Sequence, residues 1–217
     1  MLFDLNHVSI IRDQKHLLAD INLTINAGDY LTITGPSGSG KSTLVKALAA
    51  LIDPDEGVLN YNGQDILQLD PIKYRREVSY CVQQPTLFGN TVRDNFAFPY
   101  QIRKQKFDPA AVEKYLAQVQ LPASYLDQPI EKLSGGERQR IALLRNILFD
   151  PRVLILDEVT TGLDSENKAI IHDLINHLNH DKHITIIQIT HDTEEIAMAN
   201  RLIHIVGGQL VDESGVK

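Results

Sequence analysis

The chain has 217 residues, 43% of them hydrophobic and 23% charged, enough to bury the core of one large domain or of a core with a subdomain. Its formal net charge of -7 argues against nucleic acid as the main partner, because phosphate backbones demand a basic surface. Cys81 stands alone and excludes an internal disulfide; no apolar run approaches the roughly 20 residues of a membrane span, and "MLFDLNHVSI" lacks the basic region and apolar run of a secretory leader.

In chain order, residues 2–11 and 17–25 read as strands joined by the polar turn "RDQKH", and "LLADINLTI" alternates apolar and polar as a half-buried strand does. "YLTIT" is a strand that runs straight into "GPSGSGKST". From Lys41, "KSTLVKALAALI" carries Leu44, Leu48 and Leu51 at helical spacing, and "DPDEG" is expected to stop that helix. "GVLNYNGQDI" reads as a hairpin turning at "NG". "EVSYCVQQP" is a strand ending at its proline. Between 86 and 132 the apolar residues fall at helical spacing, as in "PAAVEKYLAQVQL", which predicts a mainly helical subdomain inserted into the core; a helix over 134–149 follows. "PRVLILDE" and "ITIIQIT" read as short buried strands, with the amphipathic helix "DSENKAIIHDLINHLNH" between them. "TEEIAMA" is a short helix and "RLIHIVGGQLVD" a terminal hairpin. Strands alternating with helices predict an α/β fold with a mostly parallel core sheet.

Two stretches carry phosphate chemistry on their own evidence. Gly35, Pro36, Ser37, Gly38, Ser39, Gly40, Lys41 and Ser42 fit G-x-x-x-x-G-K-[ST] between a strand and a helix. Glycines let successive backbone N–H groups converge on phosphate oxygens, and the helix N-terminus adds partial positive charge. Lys41 can reach the terminal phosphates of a nucleotide and Ser42 can ligate Mg²⁺. "VLILDE" ends an apolar strand in two carboxylates, and ligands of parallel sheets bind at such carboxyl ends. Asp157 is then a candidate for the Mg²⁺ shell and Glu158 for the attacking water, against the bland alternative of a polar turn.

A second cradle lies at "LSGGE". Ser134 and Glu137 form S-x-x-E, a capping box. Glycine at both early helical positions costs about 1 kcal/mol each in propensity, which a cap alone does not want and close approach by an anion does. "GPSGSGKST", "LSGGERQRIALLRNIL", "VLILDEVTTGLD" and "ITH" occur in the order of ABC-type ATPase domains, and the chain resembles that family over nearly its whole length. The resemblance implies a P-loop core (1–85 and 151–217) with an N-terminal antiparallel β subdomain and a helical subdomain (86–150) in a single domain. It implies ATP hydrolysis with ATP and Mg²⁺ as cofactors.

The resemblance also assigns individual residues. Leu133, Ser134, Gly135, Gly136 and Glu137 are implied to bind the ATP held by a second copy of the chain, with Asp164 of "TGLD" crossing the same interface. Thr43 joins the nucleotide cradle. Gln83, rather than its neighbour Gln84, is implied to touch Mg²⁺ and water, since one residue separates the family's glutamine from the proline. His191 is implied to contact the γ-phosphate. The family's adenine-stacking aromatic is replaced by Arg12, which stands either as a guanidinium platform or as an exposed turn residue. "YRREVSYCVQQPTLFGNTVRDNFAFPYQIRK" is similar to Fet-type iron-export ATPases. The expected setting is the cytoplasmic face of a membrane, with a transmembrane permease docked on the groove at 83–100. The cargo is iron or another metal on this likeness, another solute on the generic one; a soluble ATP switch in repair or translation is the rival. His172, His177, His180 and His183 cluster in sequence, but no acidic or thiolate set completes a metal shell.

Overall fold

The computed structural model describes residues 1–197 and 199–215. Strands β1 (Phe3–Arg12) and β2 (Lys15–Ile25) form an antiparallel hairpin. Its two-residue turn, Asp13 and Gln14, takes positive φ of 51° and 61°, the backbone twist that matches flanking strands. β3 (Tyr30–Thr34) leads into α1 (Lys41–Leu48). That helix ends earlier than its apolar spacing predicts, because Ala50 turns to φ 51°, which interrupts the helical backbone before "DPDEG". β4 (Glu56–Tyr61) and β5 (Gln64–Asp65) make the hairpin expected at "NG", with Asn62 and Gly63 both at positive φ.

Helix α2 (Pro71–Glu77) has no counterpart in the sequence reading. Its signal is local chemistry: the Asp70 side chain accepts from the N–H groups of Ile72 and Lys73, and Pro71 sits where a missing N–H is harmless. β6 (Val78–Cys81) stops before Gln83, four residues short of the proline at 85. Helices α3 (Val92–Ile102), α4 (Pro109–Gln118) and α5 (Gly135–Ile147) follow, with short 3₁₀ turns between the last two. β7 (Val153–Asp157), α6 (Ser165–His180), β8 (Thr185–Ile189), α7 (Thr193–Ala197), β9 (Arg201–Val206) and β10 (Gln209–Gly215) complete the described chain. Residue 198 of "TEEIAMA" and residues 216–217 of the predicted core lie outside the described residues.

A four-stranded antiparallel sheet runs β2-β1-β4-β5, and a six-stranded sheet runs β10-β9-β3-β8-β7-β6, parallel except at the β9–β10 hairpin. The parallel strands show the two-residue period of a sheet buried on both faces. Val153, Ile155, Ile187 and Ile189 pack with α1 and the antiparallel sheet. Leu154, Leu156 and Ile186 pack with α3, α4, α5 and α6. The helical segment therefore shares its core with the sheet instead of closing one of its own. This double burial brings the ends of β3, β6, β7 and β8 to one edge of the molecule.

Candidate functional site

The loop from Gly35 to Gly40 leaves β3 and opens α1, the context its motif demands. Gly40 adopts φ 108°, and a Cβ there would lie 2.5 Å from the Leu17 carbonyl oxygen, so no other residue fits this approach. Lys41 is buried, and its ammonium donates to the carbonyls of Gly35 (2.8 Å) and Pro36 (2.9 Å). Burial pulls its pKa down, against the opposing pull of Glu158 and Asp157. The loop encloses a cavity of about 420 Å³, lined by residues 37–43 together with Leu17, Gln83, Glu158 and His191.

The carboxylates arrive from β7. Asp157 closes the strand; one oxygen accepts the Tyr80 hydroxyl at 2.6 Å and the other the Ser42 hydroxyl at 3.3 Å. Glu158 takes φ 53°, a conformation a long L side chain rarely adopts and one that concentrates at functional sites. Its N–H donates to the Ile189 carbonyl of β8 (3.1 Å), which fixes that turn. Its carboxylate accepts the Gln83 amide at 2.8 Å and lies 3.2 Å from His191 Nε2. The neighbouring Gln84 makes no such bond among the described contacts. Gln83, Glu158 and His191, expected to act together, are thus in direct contact.

The residues present fit a metal–nucleotide ligand. The Ser39 hydroxyl is buried without a hydrogen-bond partner, an orphan polar atom inside a phosphate-type loop. A Cβ at Gly38 would meet nothing within 4 Å, so the loop is open to solvent at that position. Ser42 and Asp157 offer the hard oxygen donors that Mg²⁺ takes.

Other expected residues lie elsewhere. Ser134 and Glu137 complete the capping box, Ser134 N–H donating to Glu137 (2.7 Å) and Glu137 N–H to Ser134 Oγ (3.3 Å). The Tyr125 hydroxyl also donates to Glu137 and, ahead of any other cause, holds its carboxyl low. Leu133 to Glu137 and Asp164 are absent from the lining of the Lys41 cavity. The two signature glycines differ. A Cβ at Gly135 meets nothing within 4 Å, whereas one at Gly136 would lie 2.4 Å from the Asn167 amide oxygen. Asn167 in turn donates to both Asp164 oxygens (3.0 and 2.8 Å). Gly136 thus packs against the Asn167 side chain, while Gly135 faces open space. Arg12 does not line the cavity either: its guanidinium is 2.7 Å from Asp55, whose other contact is the Ile11 N–H.

Sequence reasoning missed three supports. Tyr80 orients Asp157, and only the parallel register of β6 with β7 reveals it. Leu17 closes one wall of the cavity from β2. Buried Glu195 accepts from His172 Nε2 (2.7 Å) and from Gln188, which also receives the Tyr30 hydroxyl at 2.5 Å. In the histidine cluster, His172 pairs with Glu195 and His177 with Asp181, and among the described residues no group of three or more His, Cys, Asp or Glu that could hold a metal ion occurs.

Four similarities accord with this geometry. The family described as ABC transporter matches residues 18–161. The chain is 46% identical over 202 residues to the Escherichia coli (strain K12) protein named "Probable iron export ATP-binding protein FetA", covering 93% of this chain and 90% of that one. An ATP-binding cassette solved as a dimer in a post-hydrolysis state with ADP and Pi superposes with TM-score 0.89 at 25% identity, over 100% of this chain and 99% of that chain. A bacterial Atm1-family ABC exporter with ATP bound gives TM-score 0.87 at 27% identity, over 98% of this chain and 38% of the exporter's.

Proposed function

This chain belongs to the ABC transporter family and is an ATP-binding, ATP-hydrolysing subunit, and on that premise we propose how its residues divide the work and what it moves. The observation that carries the reading is the meeting of Lys41, Ser42, Gln83, Asp157, Glu158 and His191 around one loop, delivered by four separate strand ends.

Loop N–H groups from Ser37 to Thr43 cradle the phosphates of ATP. Lys41 gives up the Gly35 and Pro36 carbonyls for the terminal phosphates and offsets charge as the phosphoryl group transfers. Ser42, Asp157 and Gln83 are the residues that would hold Mg²⁺, which when bound supplies Lewis-acid charge at the phosphates. Glu158 accepts a proton from the attacking water, and Gln83 and His191 hold its carboxylate in place. Ser134 and the Gly135 N–H act on the nucleotide of a second copy, with Asp164 at the same interface, so two chains facing head to tail make two composite sites. The dimeric cassette among the similar structures supports that arrangement. In the chain itself, the Gly136–Asn167–Asp164 contact supports it by tying both trans elements together.

Among the described residues no helix is long and apolar enough to cross a membrane. On the family likeness the chain acts as a peripheral subunit at the cytoplasmic face, with residues 86–150 as the helical arm and a transmembrane permease received by the 83–100 groove. The likeness to the iron-export protein makes iron the cargo of choice. Glu158→Gln tests the catalytic part: it should keep ATP affinity, lose turnover by at least about 10²-fold and accumulate an ATP-bound dimer on a sizing column. Near-normal hydrolysis would remove Glu158 as the base. For cargo, the chain reconstituted with its permease should show iron-stimulated ATPase activity; stimulation by other solutes alone would remove iron.

A further inference from the structure

One surface of the molecule contradicts its acidic composition. A groove of about 480 Å³ opens between α2, α3 and α5, and its lining contains four arginines, Arg75, Arg76, Arg103 and Arg145, with no aspartate, glutamate or lysine. The chain as a whole carries 28 Asp and Glu against 21 Lys and Arg. No ion pair among the described residues includes any of the four. The acids nearest in sequence make their close contacts elsewhere: Asp70 caps α2, Glu77 accepts from Tyr61 and faces Arg152, Asp108 caps α4, and Asp150 accepts from Lys182.

What the arginines do have is neutral. Arg75 donates to the Ala50 carbonyl (2.9 Å), Arg103 to that of Pro99 (3.2 Å), and Arg145 to the Thr86 carbonyl (3.0 Å) and the Asn95 amide oxygen (3.1 Å). Two forks lie over rings, Arg103 Cζ at 4.2 Å from the Phe149 centroid and Arg145 Cζ at 5.2 Å from that of Phe88. Each guanidinium has five N–H donors, so most remain to be used. Burial, followed by the adjacent charge of Arg76, lowers the Arg103 pKa, a sign that like charges face one another across the groove. The rim is apolar and open: Ile72 is 67% exposed, Phe98 45% and Ile102 52%.

We propose that this groove receives an amphipathic segment of the membrane partner whose inserted face carries apolar side chains and at least one carboxylate, clamped between Arg75 or Arg76 on one wall and Arg103 on the other. The proposal rests on the reading of this face as the permease dock and adds the chemistry that selects the permease. Apolar anchors flanked by paired charge are how an amphipathic helix is held in a groove. Planar, pre-oriented guanidinium forks select a carboxylate bidentately, and a lysine would not. The charge of the partner segment is thus the selective element, since a basic segment would meet four like charges that form no ion pair among the described residues.

The test uses the chain co-purified with its permease. Arg76→Glu and Arg103→Glu, singly and together, should weaken the complex at least about tenfold, while the isolated chain keeps its ATP affinity. Lys73→Glu, the same charge change on α2 but outside the groove, should leave the complex intact. Reversing one Asp or Glu at a time to Arg in the cytoplasmic segments of the permease should yield one position that restores binding to the doubly reversed chain. If Arg76→Glu with Arg103→Glu binds normally while Phe98→Ser with Ile102→Ser does not, the acidic-partner proposal is overturned and the dock survives. If neither pair weakens the complex, the dock itself is misplaced. Loss of binding to phosphatidylglycerol vesicles, relative to phosphatidylcholine vesicles, with the permease complex unchanged, would assign the arginines to lipid and overturn the proposal.

Discussion

Adding one methyl group at each signature glycine separates packing from ligand approach. Neither glycine is in the left-handed region, so alanine is conformationally allowed at both, and each replacement gains up to about 1 kcal/mol of helix propensity. At Gly135 nothing opposes the gain, because a Cβ there meets no atom within 4 Å. At Gly136 the Cβ would lie 2.4 Å from the Asn167 oxygen and 2.5 Å from its Cγ. Asn167 must withdraw, and its bonds to Asp164 weaken; overpacking of this kind costs about 1–3 kcal/mol. Gly136→Ala should therefore melt lower than Gly135→Ala by a gap on the order of 1–3 kcal/mol, at least about 2 °C for a chain of this size. Calorimetry of the two nucleotide-free proteins measures it. Sizing with ATP, in the Glu158→Gln background, adds the second readout: Gly135→Ala should be stable yet unable to form the ATP-dependent dimer, since its methyl occupies the space a phosphate needs. If Gly136→Ala melts as high as Gly135→Ala, the Asn167 contact is not what demands glycine. If Gly135→Ala dimerises normally, the open face at Gly135 serves no anion.

Three further outcomes follow from the same coordinates. A Ser134→Arg chain and a Lys41→Ala chain should each fail to dimerise alone, and mixing them should restore some ATP-dependent dimer, because each mixed dimer has one site with both cradles intact; rescue by mixing is not expected if both cradles serve the same chain's nucleotide. Tyr80→Phe should lower stability by about 1.5 kcal/mol for a lost bond to a charged acceptor and raise the Mg²⁺ concentration needed for half-maximal hydrolysis; an unchanged melting temperature would show the Asp157 contact to be idle. His172 is held above its ordinary value of 6.5 chiefly by its bond to Glu195. Burial pushes Glu195 up, but bonds from His172, Thr190 and Thr160 outweigh it and leave Glu195 below 4.5. The histidine's contribution is complete below pH 6.5 and is lost as pH rises through its raised value; the carboxylate's is complete above pH 4.5 and is lost as pH falls through its lowered value. His172→Gln should cost about 2 kcal/mol near pH 6, discounted for partial exposure, and should flatten the fall in melting temperature above neutrality; an equally steep fall in the variant would assign that titration elsewhere.

The sequence by itself determined the phosphate loop, the order of the strands and of every helix but α2, and the family. Backbone N–H groups converge on a phosphate where glycines recur within a short loop, and a sheet buried on both faces needs near-continuous apolar runs, so both leave local patterns. Helix α2 was legible in principle at Asp70 and Pro71, but its seven residues are too short to show a period. The tertiary structure alone decided what Glu158 touches. Gln83, Glu158 and His191 stand far apart in the chain, and only the parallel register of β6, β7 and β8 brings their ends together. It likewise decided that Gly136 packs against Asn167, that Arg12 is held by Asp55, and that four arginines from residues 75 to 145 share one groove without an acid. Contacts of that kind have no fixed spacing along the chain, because they are set by which surfaces the core forces together.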